Sequence, residues 1–549
     1  MPTPMDADTT RTPARDAATD RREADDLEQA LRPVAPRAVP LRAVTEAVRS
    51  LRVSTGVDGV VVTGASIDSR TVRAGDIYVA APGARVHGAR FTRDAAARGA
   101  VAVVTDEAGA DIAADSGLPV VVVNEVRSVI GDVAAAAYGT TERAPRLFGV
   151  TGTNGKTTTT YLLRSLLEAL DHPTGLVGTV EIDAGNGPVP SVRTTPEATA
   201  LHGILARMTE EKLHSASVEV SSHALSYRRV DALRFAVAGF SNLTPDHLDV
   251  HGDMAGYFEA KARLFSPILA ERGVVCVDDR WGRHLARTAD IPIVTLQTRE
   301  PLDDPRDVDH LLPSDEIDAD YTVTDVVRIG IGIGHGFVLR RDGESVLRAT
   351  TALPGAFNVS NAALALVMVL ESGVSAERVQ EAIDRPQTLS PLVPGRMQVI
   401  TTDPTTVVDF AHNAAALQAA LMSVNGTAGR TIVVFGAPGE RDTAKRAMMG
   451  AMGARYSDVA IITDDDPHGE DAASIRAQVL SGARMAEQPG SLVVEIPSRT
   501  DAIAAAVAMA RPDDIVLVAG RGHETVQDVD GAQIPLDDAE ELRRAVSRR

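Results

Sequence analysis

The stretch Gly149-Val-Thr-Gly152-Thr-Asn-Gly155-Lys156-Thr157-Thr158 limits what this chain can fold into more than any other. It follows Arg146 to Thr151, a short run that reads as a strand. It precedes a segment in which Leu162, Leu163, Leu166, Leu167 and Leu170 recur at three- and four-residue spacing, the period of a helix with one buried face. A strand that enters a helix through glycines is a phosphate-binding geometry. The glycines let backbone N–H groups curl round anionic oxygens, and the helix N-terminus adds positive potential. Lys156 can reach terminal phosphates, and the Thr157 hydroxyl suits magnesium. The spacing departs from the usual P-loop, because Val150 stands where that pattern has its first glycine.

Around this loop the chain alternates β-branched runs with Ala- and Leu-rich segments, the mark of an α/β protein. With 549 residues, it divides into several domains. A first domain, 41–144, has strands at Ile77 to Ala80, Val101 to Thr105 and Val120 to Val123, with helices at Arg93 to Arg98 and Ser128 to Tyr138. The central domain, 145–393, carries the glycine loop. A third, 394–549, shows strands at Val407 to Asp409, Ile432 to Phe435, Val459 to Ile462, Leu492 to Ile496 and Ile515 to Val518. It reads as a parallel, dinucleotide-fold-like sheet without the Gly-x-Gly-x-x-Gly fingerprint. Residues 1–40 read as a disordered charged tail, and the Asp- and Pro-rich stretch from Arg299 to Asp320 as a surface loop. The net charge of -20 repels phosphate backbones and anionic lipid, so nucleic acid and membrane surface are poor partners. The single cysteine, Cys276, forms no internal disulfide, and no apolar run is long enough to span a bilayer. These features predict a soluble protein of a reducing compartment such as the cytoplasm.

Two further segments carry chemistry. In Ser217-Val-Glu219-Val-Ser221-Ser-His223, apolar and polar residues alternate with the period of a strand, placing Glu219 near its end. A carboxylate there suits a nucleotide's magnesium, although a solvated strand edge explains it as well. Downstream, Asp246, His247, Asp249 and His251 fall within six residues of one another, which suits either a metal group or a polar helix cap.

Taken together, Gly152-Thr-Asn-Gly155-Lys156-Thr157-Thr158, Glu219-Val-Ser-Ser-His223, Asn242-Leu-x-x-Asp246-His247-Leu-Asp249-x-His251 and Tyr257-x-x-Ala-Lys261 resemble the Mur ligases of peptidoglycan synthesis, most closely their tripeptide-forming branch. The likeness extends over nearly everything after Val60. It includes Ile67-Asp68-Ser69-Arg70, Gly355-Ala-Phe357-Asn358-Val-Ser-Asn361, Pro394-Gly395-Arg396-Met397, Val408-Asp409-Phe410-Ala411-His412-Asn413, Gly439-Glu-Arg441-Asp442-x-x-Lys445-Arg446 and Gly520-Arg-Gly522-His523-Glu524.

The resemblance implies three domains, with an active site where they meet, and an ATP-dependent ligation through an acyl phosphate. It implies ATP contacts from Gly152, Thr153, Asn154, Gly155, Lys156, Thr157, Thr158, Asn358 and Arg396. The UDP-muramoyl-dipeptide would be held by Ile67, Ser69, Arg193, Thr194, Thr195, Ser221 and Arg229, and the incoming amino acid by Arg441, Asp465, Asp466, His468, Gly520 and Glu524. Magnesium would be bound by Thr157 and Glu219, and a second ion by His247 and a carbamylated Lys261. Lys156, His247 and Lys261 would then be the catalytic residues of a monomeric enzyme.

Some positions depart from the family pattern. Tyr227 replaces a frequent glutamine, Phe410 a tyrosine, and Ala414-Ala415 a Pro-Asp pair. Asp465-Asp466-Pro467-His468 stands where diaminopimelate-adding members have Asp-Asn-Pro-Arg. The last change points to a diamino acid without a second carboxylate, such as lysine or ornithine. Two other classes stay open on the sequence: a P-loop regulatory module that has lost ligation, and a small-molecule kinase.

Overall fold

The computed structural model describes residues 15–16, 31–54, 57–83, 85–299, 317–329, 334–425, 429–440 and 443–549. Contacts divide the chain into two compact units, one within Ala24–Val393 and the other formed by Pro394–Arg549 with Met1–Glu23.

In the larger unit, the strand Arg146–Thr151 lies inside a sheet of eleven described strands. It runs parallel to Ser215–Glu219 on one side and Phe235–Phe240 on the other. Parallel pairing continues through Gly273–Cys276 and Ile293–Gln297 to Tyr321–Ile329. Antiparallel pairs close both ends, Glu181–Asp183 with Pro188–Pro190 and Gly334–Arg341 with Glu344–Thr351. Parallel strands covered by helices on both faces need apolar residues throughout, and Phe148, Val150, Ala216, Val218 and Val237 are all buried. The leucines of the helix Lys156–Ala169 share one core with Leu364, Val367 and Met368 of the helix Ala356–Glu371. Burial of each such side chain contributes roughly 1.5–3 kcal/mol.

Ahead of this sheet, a five-stranded sheet runs in the order Arg52–Val53, Val120–Val122, Ala102–Thr105, Asp76–Val79, Gly64–Ser66, parallel apart from the first strand. The two edge strands were absent from the sequence reading, since two or three residues show no periodicity. In the smaller unit, five parallel strands run in the order Thr405–Asp409, Ile515–Ala519, Thr431–Phe435, Val459–Ile462, Leu492–Glu495, with Gln398–Thr402 antiparallel at one edge. No described helix is long and apolar enough to cross a membrane.

The folded chain begins before residue 41, a correction to the tail reading. Leu31 is 1% exposed, and Arg32 forms a two-pronged ion pair with Asp76 beside Tyr138. The N–H groups of Val34 and Ala35 donate to the Glu210 carboxylate at 2.9 and 2.7 Å. One apolar anchor followed by an arginine has no compositional signature, so only its distant partners reveal it. Arg15–Asp16 pairs antiparallel with Ala532–Pro535. The rest of 1–30, and 300–316 of the segment read as a surface loop, lie outside the described residues.

The first domain meets the central one around a buried histidine. Nδ1 of His202 bonds the Thr140 hydroxyl at 2.5 Å, and Nε2 bonds the Asp231 carbonyl at 3.2 Å. Burial pushes the His202 pKa down to about 4. The folded state therefore refuses a proton that the unfolded chain accepts below about pH 6.5. The stability tied to neutral His202 is complete above that pH and is lost as pH falls toward 4. The thermal midpoint is expected to drop between pH 7 and pH 5, and His202→Gln to flatten that drop. Equal slopes for the two proteins would contradict this account.

Candidate active site

The glycine loop joins the strand Arg146–Thr151 to the helix Lys156–Ala169. Gly152 and Gly155 adopt φ of 144° and 89°. A Cβ at Gly155 would lie 2.3 Å from Asn361 Oδ1, and one at Gly152 would lie 2.0 Å from Ser241 Oγ. Neither position therefore accepts a side chain. The loop is pinned from the next parallel strand: Thr153 N–H donates to the Asn242 carbonyl at 2.9 Å and Asn154 N–H to Asn242 Oδ1 at 3.0 Å. Asn242 Nδ2 returns a bond to the Asn154 carbonyl at 3.0 Å. Asn358 donates to the Pro354 carbonyl and accepts from Asn361 Nδ2, both at 2.8 Å, which fixes the amide lying against Gly155. Thr158 is buried in the first helical turn.

Two lysine nitrogens meet on one carbonyl of this loop. Lys156 Nζ lies 3.0 Å from Gly152 O and 2.8 Å from Thr153 O, while Lys261 Nζ lies 2.8 Å from the same Gly152 O. Lys261 is 1% exposed, with its nitrogen 4.5 Å from the centre of the Tyr257 ring. Burial first, and then Lys156, hold its pKa well below the usual lysine range, which favours the neutral amine.

On the adjacent strand Glu219 is 0% exposed, which removes the solvated-edge reading. Its carboxylate accepts from the Thr157 hydroxyl at 3.1 Å, the Thr179 hydroxyl at 3.0 Å and Thr179 N–H at 2.8 Å. The buried oxygens of Thr157 and Glu219 suit a hard cation such as magnesium. His247 takes a left-handed backbone, φ 54°, with its ring centre 4.9 Å from that of His223. Partial burial, aided by His223, Lys156 and Lys261 against the pull of Asp246, pushes its pKa down to about 4. This favours the neutral imidazole near neutral pH. The reading of Asp246, His247, Asp249 and His251 as one metal group is not what the fold builds. The turn Leu248–His251 delivers His251 to Ser222, with Nε2 3.0 Å from Oγ. No group of three or more His, Cys, Asp or Glu among the described residues is arranged to hold a metal ion.

Thr194, Thr195, Ser221 and Arg229 form a connected set beside Glu219. The Thr195 hydroxyl donates to the Glu219 carbonyl at 2.8 Å and to Ser221 Oγ at 3.3 Å, and Thr194 accepts from Thr179 at 3.0 Å. Arg229 reaches the Thr195 carbonyl at 3.2 Å and Glu197 at 2.6 Å. Arg193 lies half-buried in the same loop. Ile67 and Ser69 stand on the first domain, in a turn that Arg70 closes by bonding Asp68 at 2.9 Å. Thr179, which holds both Glu219 and Thr194, was missed by the sequence reading because an isolated threonine outside any motif carries no signal. Ser222 and Asn361 lay inside recognised motifs but had been given no role.

In the smaller unit the Arg396 guanidinium sits 4.2 Å from the centre of the Phe410 ring. Asp465, Asp466, His468, Gly520 and Glu524 gather at one end of the parallel sheet, after the strands Val459–Ile462 and Ile515–Ala519. Arg441 lies outside the described residues.

Comparison with known proteins agrees along most of the chain. The sequence model for "Mur ligase family, catalytic domain" matches residues 61–138, that for "Mur ligase middle domain" 150–369, and that for "Mur ligase, glutamate ligase domain" 395–522. A UDP-N-acetylmuramyl-tripeptide synthetase of Leifsonia xyli is 43% identical, over 94% of this chain and 98% of that protein. A UDP-N-acetylmuramoyl-L-alanyl-D-glutamate–2,6-diaminopimelate ligase of Streptomyces coelicolor is 42% identical over the same shares, 94% and 98%. A solved structure of a ligase with that same name superposes with a TM-score of 0.63 at 28% identity, covering 94% of this chain and 99% of the other. With its phosphate loop, the buried Glu219 and the amine of Lys261 in place, this chain belongs to the Mur ligase family.

Proposed function

We propose that the chain is an ATP-dependent ligase that adds an amino acid to the D-glutamate of UDP-N-acetylmuramoyl-L-alanyl-D-glutamate, in peptidoglycan synthesis. The observation that carries this reading is the pairing of Lys156 and Lys261 on the Gly152 carbonyl beside the Thr157–Glu219 contact, in a chain similar to a tripeptide synthetase over 94% of its length. A nucleotide-binding module or a simple kinase needs the phosphate loop but has no use for a second, buried lysine on its carbonyl.

A carboxylate is a poor electrophile until one of its oxygens becomes a leaving group. In the first step a γ-carboxylate oxygen of the glutamate attacks the γ-phosphorus of ATP, and the bond to ADP breaks. In the second the amine attacks the acyl carbon, the bond to phosphate breaks, and the amine loses a proton. Bringing two anions together costs about 4 kcal/mol at 4 Å and an effective dielectric of 20. Lys156 counters this by leaving its loop carbonyls for the transferred phosphoryl group. Magnesium, for which Thr157 and Glu219 supply fitting oxygens, would add charge screening there. Lys261, as the neutral amine, takes up carbon dioxide and releases a proton, becoming a carbamate whose oxygens, with His247, suit a second ion.

Asn358 and Arg396 are assigned to the nucleotide. Ile67, Ser69, Arg193, Thr194, Thr195, Ser221 and Arg229 are assigned to the UDP-muramoyl-dipeptide. Asp465, Asp466, His468, Gly520, Glu524 and Arg441 are assigned to the amino acid. ATP and a nucleotide-linked precursor are cytoplasmic compounds, so we place the enzyme there, as a monomer.

Sustained phosphate release should require both the UDP-muramoyl-dipeptide and an amino acid; release with the dipeptide alone would identify a kinase instead. Lys156→Ala is expected to lower kcat by at least about 100-fold through loss of transition-state charge stabilisation. Gly155→Ala is expected to abolish ATP turnover as well, because the added methyl displaces Asn361. A Gly155→Ala enzyme of wild-type rate would remove the loop from the mechanism. Lys261→Ala should be inactive but partly restored by millimolar formate or acetate. Absence of rescue, together with an unmodified lysine by intact mass, would overturn the carbamate.

A further inference from the structure

We infer that the Thr179 hydroxyl makes binding of the UDP-muramoyl-dipeptide and binding of a cation at Glu219 depend on each other. The inference rests on the ligase reading and deepens it, because Thr179 bridges two sites that the reading treats separately.

Glu219 is a fully buried carboxylate whose hydrogen-bond partners among the described residues are all threonines. Thr179 supplies two of the bonds. Its N–H reaches Oε1 at 2.8 Å and its hydroxyl reaches Oε2 at 3.0 Å, where the Thr157 hydroxyl also donates at 3.1 Å. So close an approach needs a glycine before Thr179, since a Cβ on Gly178 would stand 2.4 Å from Glu219 Oε1. The turn itself is fixed by the strand Thr174–Val177 and by Gly178 N–H, which donates to the Glu181 carbonyl at 3.1 Å.

The same hydroxyl lies 3.0 Å from Thr194 Oγ1, to which it can also donate. It has a single proton, so it serves Glu219 or Thr194 at any moment and not both. A bond to a carboxylate is roughly twice as strong as one between neutral groups, so without a cation the proton rests on Glu219. Once a cation takes up the Glu219 charge, that hold weakens and the Thr179 proton turns to Thr194. Thr194, half-buried, then accepts from Thr179, and its own proton is left to meet an oxygen of the acceptor. A hydroxyl that accepts one bond donates the next more strongly. The adjacent Thr195 is held independently, donating to the Glu219 carbonyl at 2.8 Å and accepting from Ser221 N–H at 3.2 Å. The two arrangements thus differ in the rotation of hydroxyls and leave the backbone in place. Each ligand favours the arrangement that suits the other, and by linkage the factor is the same in both directions. Thr179 acts through Glu219 and Thr194, as a positioning residue.

The test uses the full-length enzyme holding ADP, which permits binding without turnover. The UDP-muramoyl-dipeptide is titrated calorimetrically with millimolar magnesium and again with the metal chelated, and the ratio of the two Kd values is compared between proteins. Charge screening by the metal contributes to that ratio in every variant. The wild-type ratio should exceed that of Thr179→Val, which keeps the shape and the N–H but lacks the hydroxyl, by at least about fivefold. Thr179→Ser should keep the wild-type ratio. Thr194→Val, which removes the far end of the link and leaves the Glu219 bonds intact, should lose the ratio to the same extent, and the double variant should lose no more than either single one. Thr194→Val also decides the matter should Thr179→Val fail to fold. In the reciprocal measurement, free manganese read by electron paramagnetic resonance should fall when dipeptide is added to the wild type, and fall less with Thr194→Val. A wild-type ratio in Thr179→Val or Thr194→Val, or a lost ratio in Thr179→Ser, would overturn the inference. Absence of dipeptide binding in both buffers would overturn the ligase reading on which it rests.

Discussion

The Gly152 carbonyl accepts from both Lys156 and Lys261, and much of the larger unit serves to hold that arrangement. Two ammonium groups on one oxygen in a dry site repel by several kcal/mol, and this repulsion adds to the effect of burial on Lys261. Burial first, and then Lys156, lower the Lys261 pKa well below the usual lysine range. The carbonyl is presented inward because Gly152 adopts a backbone conformation that a side chain would block, and because Asn242 holds the following amides from the neighbouring strand. The sheet and its covering helices supply the apolar surroundings that make the proton's loss favourable. One loop geometry thus brings two lysine nitrogens of unequal burial onto the same carbonyl.

Glu219 ties the phosphate loop to the neighbouring threonines. Its carboxylate holds Thr157 of the phosphate loop and Thr179, while its backbone carbonyl holds Thr195. Thr195 in turn contacts Ser221 and Arg229, and Thr179 contacts Thr194. The Thr194, Thr195 and Ser221 hydroxyls are therefore connected to Glu219 and Thr157 through short hydrogen bonds. The three-histidine neighbourhood of His223, His247 and His251 borders the same space, with His251 anchored on Ser222.

The smaller unit follows a different logic, based on charge pairing. Buried arginines neutralise Asp466, Glu470 and Asp538. Asp465 and Glu524 lie at the same end of the sheet, where burial and the two aspartates push the Glu524 pKa up to about 8. Internal pairing of this kind gives the loop rigidity.

The α/β class, the position of the phosphate loop and the strand Val459–Ile462 were all legible in the sequence. Glycine spacing, leucine periodicity and β-branched runs report backbone geometry over a few residues, and that geometry is set locally. The motifs that carry Glu219, His247, Lys261 and Asp465 were equally visible, but the state of those groups was not. Glu219 read equally well as a solvated edge, and Asp246, His247, Asp249 and His251 as one metal group, until Thr179 and Ser222 were in place around them. Leu31 and Arg32 looked like tail because Asp76 and Tyr138 lie more than forty residues away. Burial, protonation and pairing are settled by neighbours distant in the chain. The sequence by itself therefore determined which residues could act, and the tertiary structure decided which of them are dry, neutral or already partnered.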